Sequence, residues 1–167
     1  MKILLNFLLY AVVPAILFTV SGPASSAERI TIGEIENVVL MPWGIALEAR
    51  IDTLAPTTSL EVRDLRVRDN MVEFRLPMRY GGLKLQLPLI GWLWSRAADD
   101  LCQLRPAVEL ELGLGSKRLQ TQVTLNDHSS MEYPMTIGWG TLEKGTFLID
   151  VSRSYTLSPN RLKEILP

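Results

Sequence analysis

The 167-residue chain is 47% hydrophobic and 21% charged with a formal net charge of −1, values that fit one globular domain and exclude a disordered chain. No basic stripe or Lys/Arg run stands out, so nucleic-acid binding has no support. The single cysteine, Cys102, excludes an internal disulfide and reads as a buried thiol.

The first 27 residues stand apart. Lys2 is their only charge, Ile3 to Val20 is almost wholly apolar, and Ser25 and Ala27 put small residues at the −3 and −1 positions before Glu28. This is the pattern of a secretory signal cleaved after Ala27, with export to the periplasm or cell envelope. The apolar run is also about long enough to span a bilayer, so an uncleaved anchor is the alternative. Removing 27 residues from 167 leaves 140, with 16 basic and 18 acidic residues once Lys2 is gone. That length builds one modest core and not two lobes, so residues 28–167 read as a single domain.

Within it, period-two alternation dominates. Ile45, Leu47, Ala49 and Ile51 alternate with Ala46, Glu48 and Arg50. Shorter runs follow at Leu60 to Val62, Leu65 to Val67, Val72 to Leu76 and Leu83 to Leu87. Val108 to Leu112 and Leu119 to Leu125 complete the series. Turn residues bound them: Asp69-Asn70, Gly81-Gly82, Gly113 to Lys117 and Asn126-Asp127. Short alternating strands at this spacing predict an all-β barrel or sandwich. Ser158-Pro159 reads as an N-cap and first helical residue, opening a short C-terminal helix through Leu166.

Leu89-Ile90-Gly91-Trp92-Leu93-Trp94 is apolar without alternation. It reads either as a buried strand or as an exposed lip that contacts a partner, a peptide or, through Trp92 and Trp94, the membrane surface.

The alternating run that ends at Ile51 delivers Asp52-Thr53-Leu54 into a polar turn, and a second run leaves it at Thr58-Ser59-Leu60. An aspartic peptidase presents its catalytic Asp in this way, usually as Asp-Thr-Gly. Read alone, Asp52 is equally an Asp whose carboxylate caps a turn. Other chemistries find less. One His, His128, and one Cys do not make a zinc site, which wants three or four ligands. No phosphate-binding Gly-rich loop with Lys and no Gly-x-Ser-x-Gly elbow is present. No metal or cofactor is expected.

Four blocks in order resemble a known family. The first runs from Gly33-Glu34 through Trp43-Gly44-Ile45 to Asp52-Thr53 and Thr58-Ser59-Leu60, and the second is Arg105-Pro106-Ala107-Val108-Glu109-Leu110. The third spans Val123-Thr124-Leu125 and Pro134-Met135-Thr136-Ile137-Gly138, and the fourth Phe147-Leu148-Ile149-Asp150 with Ser152-Arg153-Ser154-Tyr155. Together they resemble the bacterial retropepsin-like family that carries the older name of ATP-dependent zinc protease.

The resemblance implies a small closed β-barrel with one catalytic Asp per chain, working as a homodimer on a peptide or protein substrate. It places the catalytic role on Asp52, with support from Thr53, Leu54 and Gly138. Met78 to Leu83 is the candidate flap, with Tyr80, Gly81 and Gly82 at its tip; an ordinary hairpin turn is the plainer reading. The chain departs from the family where Leu54 replaces Gly, at Trp139-Gly140, and between Phe74 and Arg105. Two readings follow: an exported aspartic endopeptidase, or a peptidase-fold module of the cell envelope that binds peptides or proteins without cleaving them.

Overall fold

The computed structural model describes residues 29–96, 102–127 and 132–157. The N-terminal segment with its cleavage site, His128 and the expected C-terminal helix lie outside these residues.

The alternating runs become strands where the sequence places them. After a short β1 (Thr31–Ile32) come β2 (Ile35–Met41), β3 (Ile45–Asp52) and β4 (Thr58–Glu61). In β3 the rule of two is literal: Leu47, Ala49 and Ile51 are buried while Ala46, Glu48 and Arg50 face water. Next are β5 (Arg63–Arg68), β6 (Met71–Arg75) and β7 (Lys84–Pro88). Then follow β8 (Gly91–Arg96), β9 (Cys102–Leu114), β10 (Lys117–Asn126) and β11 (Met135–Gly138). A two-turn helix α1 (Trp139–Gly145) and β12 (Leu148–Ile149) end the described chain. The sequence pattern does not announce α1, whose seven residues are too few to display a helical period.

The main sheet runs β10-β4-β11-β3-β2-β9-β8, and β9 also pairs with β10, so six strands close into a ring and β8 lies outside it. Closure removes the exposed edges of those six strands. Strands β5, β6 and β7 form a separate antiparallel sheet, and Asp69 and Asn70 turn β5 into β6 with φ of 49° and 61°. Two successive positive φ values suit the right-handed twist of a two-residue hairpin, and Asp and Asn tolerate them better than most residues.

The core draws on every strand of the ring, with Leu40, Leu47, Leu60, Leu112, Leu125, Met135 and Ile137 almost wholly out of water. Each such side chain contributes about 1.5–3 kcal/mol on burial. Among the described residues the core extends from Ile30 to Leu157. Glu36, fully buried, ties the chain ends together. Its carboxylate accepts from the Gly33 N–H (2.7 Å), the Thr156 N–H (3.0 Å) and hydroxyl, and the Leu157 N–H (3.2 Å).

One expectation needs correction. Cys102 is exposed, because it opens β9 beyond the ring. Of the two readings of the 89–94 segment, the structure shows the exposed one: among the described residues β8 pairs with β9 alone, and Trp92 and Trp94 are 49% and 65% exposed.

Candidate active site

Asp52 is the last residue of β3. Its position is fixed from the side by β11, which runs parallel to β3 and sets Gly138 opposite Asp52. Half-buried, Asp52 turns its carboxylate back on its own chain. Oδ1 accepts from the Leu54 N–H at 2.9 Å and the Ala55 N–H at 3.1 Å. Two backbone donors on one oxygen fix the side-chain rotamer and stabilise the turn. Oδ2 makes no hydrogen bond to the described residues, so one oxygen is held and the other is presented.

The turn from Thr53 to Thr57 rests on the junction of β11 and α1. The Trp139 N–H donates to the Ala55 carbonyl at 2.9 Å, and the Gly138 N–H to Thr58 Oγ1 at 3.2 Å. Below them lies a buried relay of hydroxyls. Thr141 Oγ1 is 2.7 Å from both Thr58 Oγ1 and Thr121 Oγ1, and Thr124 Oγ1 donates to the Thr58 carbonyl. Four elements, β4, β10, β11 and α1, thereby grip one turn. Gly138 makes the closeness feasible: a Cβ there would lie 2.6 Å from the Thr57 carbonyl atoms and 2.7 Å from the Ala55 oxygen.

Leu54 is 84% exposed and is not among the residues with positive φ. The turn therefore holds Leu without backbone strain, and its side chain leaves the domain rather than entering the core. Thr53 is exposed beside it, and Trp139, at the start of α1, is 50% exposed. Two exposed apolar side chains thus belong to the segments that hold the Asp52 turn.

The structure brings Asp52, Thr53, Leu54 and Gly138 together. Tyr80, Gly81 and Gly82 lie in the connection between β6 and β7, whose turn packs against β3, the strand that carries Asp52. There Met78–Tyr80 forms one 3₁₀ turn, closed by Gly81 with φ of 87°. The loop is braced: the Gly82 N–H reaches the Pro77 carbonyl, and the Leu76 N–H the Leu83 carbonyl. Arg79 also pairs with fully buried Glu61 at 2.5 Å, next to Arg63 at 2.6 Å, and stacks over the Tyr80 ring. A carboxylate this deeply buried needs both cations, because an unpaired buried charge costs several kcal/mol.

An open hollow of about 520 Å³ lies here, lined by Arg63, Asp64, Arg75 and Arg79 among others and not by Asp52. No group of three or more His, Cys, Asp or Glu suited to a metal occurs among the described residues.

Sequence reasoning missed the hydroxyl relay. Thr58, Thr121 and Thr141 are distant in sequence, and each alone reads as an ordinary strand or helix residue. The one available signal was Thr58 at the exit of the Asp turn, where its side chain can only point inward.

Comparison with known proteins gives two positive findings. A family model described as "Retropepsin-like aspartic endopeptidase RimB" matches residues 31–160. A solved Legionella pneumophila protein of unknown function, assigned to DUF785, aligns with a TM-score of 0.66 at 21% identity, over 77% of this chain and 98% of that one. At that identity the likeness speaks for the fold alone. No curated protein matches the chain.

Proposed function

The chain belongs to the RimB-like family of retropepsin-like aspartic endopeptidases, and on that premise we propose that it is exported and hydrolyses peptide bonds as a homodimer. The observation that carries this reading is the Asp52 carboxylate. It sits at a strand end, with one oxygen locked by two backbone N–H groups and the other making no hydrogen bond to the described residues.

One such carboxylate is half of a catalytic site. Two held about 3 Å apart cannot both ionise, so they share a proton and titrate as a pair. The ionised member takes a proton from water as that water attacks the peptide carbonyl, and the protonated member donates to the carbonyl oxygen. A second copy supplies the partner in a two-fold arrangement, with the same surface facing itself. Thr53, exposed beside Asp52, braces the turn across that axis, and an extended substrate adds strand-like hydrogen bonds in the cleft.

One observation favours the alternative, a binding module without catalysis. Leu54 projects from the turn that holds the carboxylate, at the position where the resemblance implies Gly, and a branched four-carbon group there can fill the space a scissile peptide needs.

The test is an unbiased peptide library, from acidic to neutral pH, on residues 28–167 beside Asp52→Asn and Leu54→Gly. Cleavage by the parent that vanishes in Asp52→Asn is the expected result. Cleavage by Leu54→Gly alone assigns the binding role. Cleavage by a species that sediments as a monomer sinks the shared pair. Mass analysis of the exported protein checks cleavage after Ala27.

A further inference from the structure

We propose that the ribbon formed by β8 and the N-terminal half of β9 is a membrane-contact surface that seats this domain on the polar–apolar boundary of a lipid bilayer. The inference rests on the export reading above and not on catalysis.

The ribbon is a distinct part of the fold. Strand β9 pairs with β10 from Ala107 to Leu114 and with β2 from Glu111 to Leu114. Residues Cys102 to Pro106 pair with β8 alone. Two strands therefore run on past the ring, and their two faces differ sharply.

Leu93 and Ser95 on β8 stand opposite Arg105 and Gln103 on β9. Ser95 and Arg105 are more than nine-tenths buried, and Arg105 Nη1 lies 3.4 Å from Ser95 Oγ. That face is turned to the protein. Trp92 and Trp94 stand opposite Pro106 and Leu104 and share the other face, since directly opposed residues project to the same side. There Trp92 is 49%, Trp94 65% and Leu104 49% exposed, and Ile90, just before the strand, is 43% exposed.

These four side chains leave on the order of 300–400 Å² of apolar surface in one place. On a monomer a contiguous patch of that size usually marks a contact.

Chemistry selects the occupant. The four side chains of the patch carry no charge, and by register Arg96 and Cys102 continue the same face beyond them. Indole suits an interface in which its ring lies among acyl chains and its N–H meets the headgroup layer, which is why Trp gathers at membrane boundaries.

The remaining argument is the chain that precedes the domain. Ile3 to Val20 is a bilayer-length apolar run that ends eight residues before Arg29. Eight extended residues reach about 28 Å, so until Ala27 is cut the domain is held at a bilayer surface. If Ala27 is never cut, the contact is permanent.

The experiment uses residues 28–167, which contain every core residue from Ile30 to Leu157 among the described residues and lack the apolar run. Sucrose-loaded vesicles of phosphatidylethanolamine and phosphatidylglycerol (3:1) are sedimented with the parent, with Trp92→Ser/Trp94→Ser, and with Trp139→Ser, which removes an exposed Trp on a different element. Parent and Trp139→Ser are expected to bind, with tryptophan emission quenched by acyl-brominated lipid. The double variant is expected to lose at least tenfold in partition coefficient. If it does not melt cooperatively, Leu104→Asp on the facing strand takes its place with the same expectation.

Equal binding by parent and ribbon variants overturns the proposal, as does no binding by the parent. Self-association of the parent without lipid, abolished by the ribbon substitutions, also overturns it and assigns the face to a second copy of the chain. None of these outcomes depends on peptide cleavage, so a catalytically silent protein still tests the membrane reading.

Discussion

Replacing Gly138 by Ala adds one carbon at the most crowded point of the site. The new Cβ would lie 2.6 Å from two Thr57 carbonyl atoms and 2.7 Å from the Ala55 oxygen, where ordinary contacts begin at 3.4 Å. Backbone must therefore move by about 0.8 Å, because the obstructing atoms are not the end of a flexible side chain. Overpacking of this kind costs about 1–3 kcal/mol. For a domain of this size, 2 kcal/mol lowers the melting temperature by roughly 6–10 °C.

The displacement falls on the turn whose Leu54 and Ala55 N–H groups hold the Asp52 carboxylate. A shift approaching 1 Å at such a group lowers cleavage by about a hundredfold. Thermal melts and the amide resonances of Leu54 and Ala55 in ¹⁵N spectra read both effects without a known substrate. A Gly138→Ala protein that melts within about 2 °C of the parent, with those two resonances unmoved, refutes the packing argument.

Three further perturbations probe the scaffold. Thr141→Val removes the middle hydroxyl of the relay and strands Thr121, at a cost of about 2 kcal/mol; the urea midpoint should fall by about 1 M, and an unchanged midpoint means the relay carries little. Glu36→Gln turns an amide NH₂ towards N–H donors around a buried acceptor; a loss of about 3 kcal/mol and faster proteolysis near Thr156 are expected, and parent-like resistance contradicts the clamp. Tyr155 donates to Glu48 at 2.7 Å, and that bond, ahead of desolvation and the nearby Glu48 charge, pushes its phenol up from 10.0 to about 12. A phenol raised in the folded state stabilises fully below pH 10 and loses that stabilisation as pH rises towards 12, so the parent and Tyr155→Phe should differ at pH 8 and converge near pH 12. A constant difference across that range rules out the Tyr155–Glu48 bond as its source.

The strands were legible because most of them bury one face only. Leu47, Ala49 and Ile51 in β3, and Val72 and Phe74 in β6, write the period of two directly into the chain. Asp52, Thr53 and Gly138 were legible through the ordered family blocks rather than through any one motif. What escaped has physical reasons. In β8 the alternation is between half-buried Leu93 and exposed Trp92 and Trp94, so positions 92–94 are all apolar and the pattern vanishes from that stretch of sequence. Helix α1 is too short to show a period, and its N-terminal N–H groups at Gly138 and Trp139 bond to Thr58 and Ala55 around the Asp52 turn. The identity of Leu54 does not say where its side chain goes; its exposure puts it outside the core, and its φ is not positive.

The clamp at Glu36 also orders events in time. Strand β1 pairs with β12, and Glu36 receives donors from Thr156 and Leu157, more than a hundred residues downstream. A chain emerging from its N-terminus cannot bring those donors to the carboxylate until Leu157 has appeared, and until then a glutamate destined for the core lacks them. Closure of this part of the domain is thereby deferred until residue 157 is available.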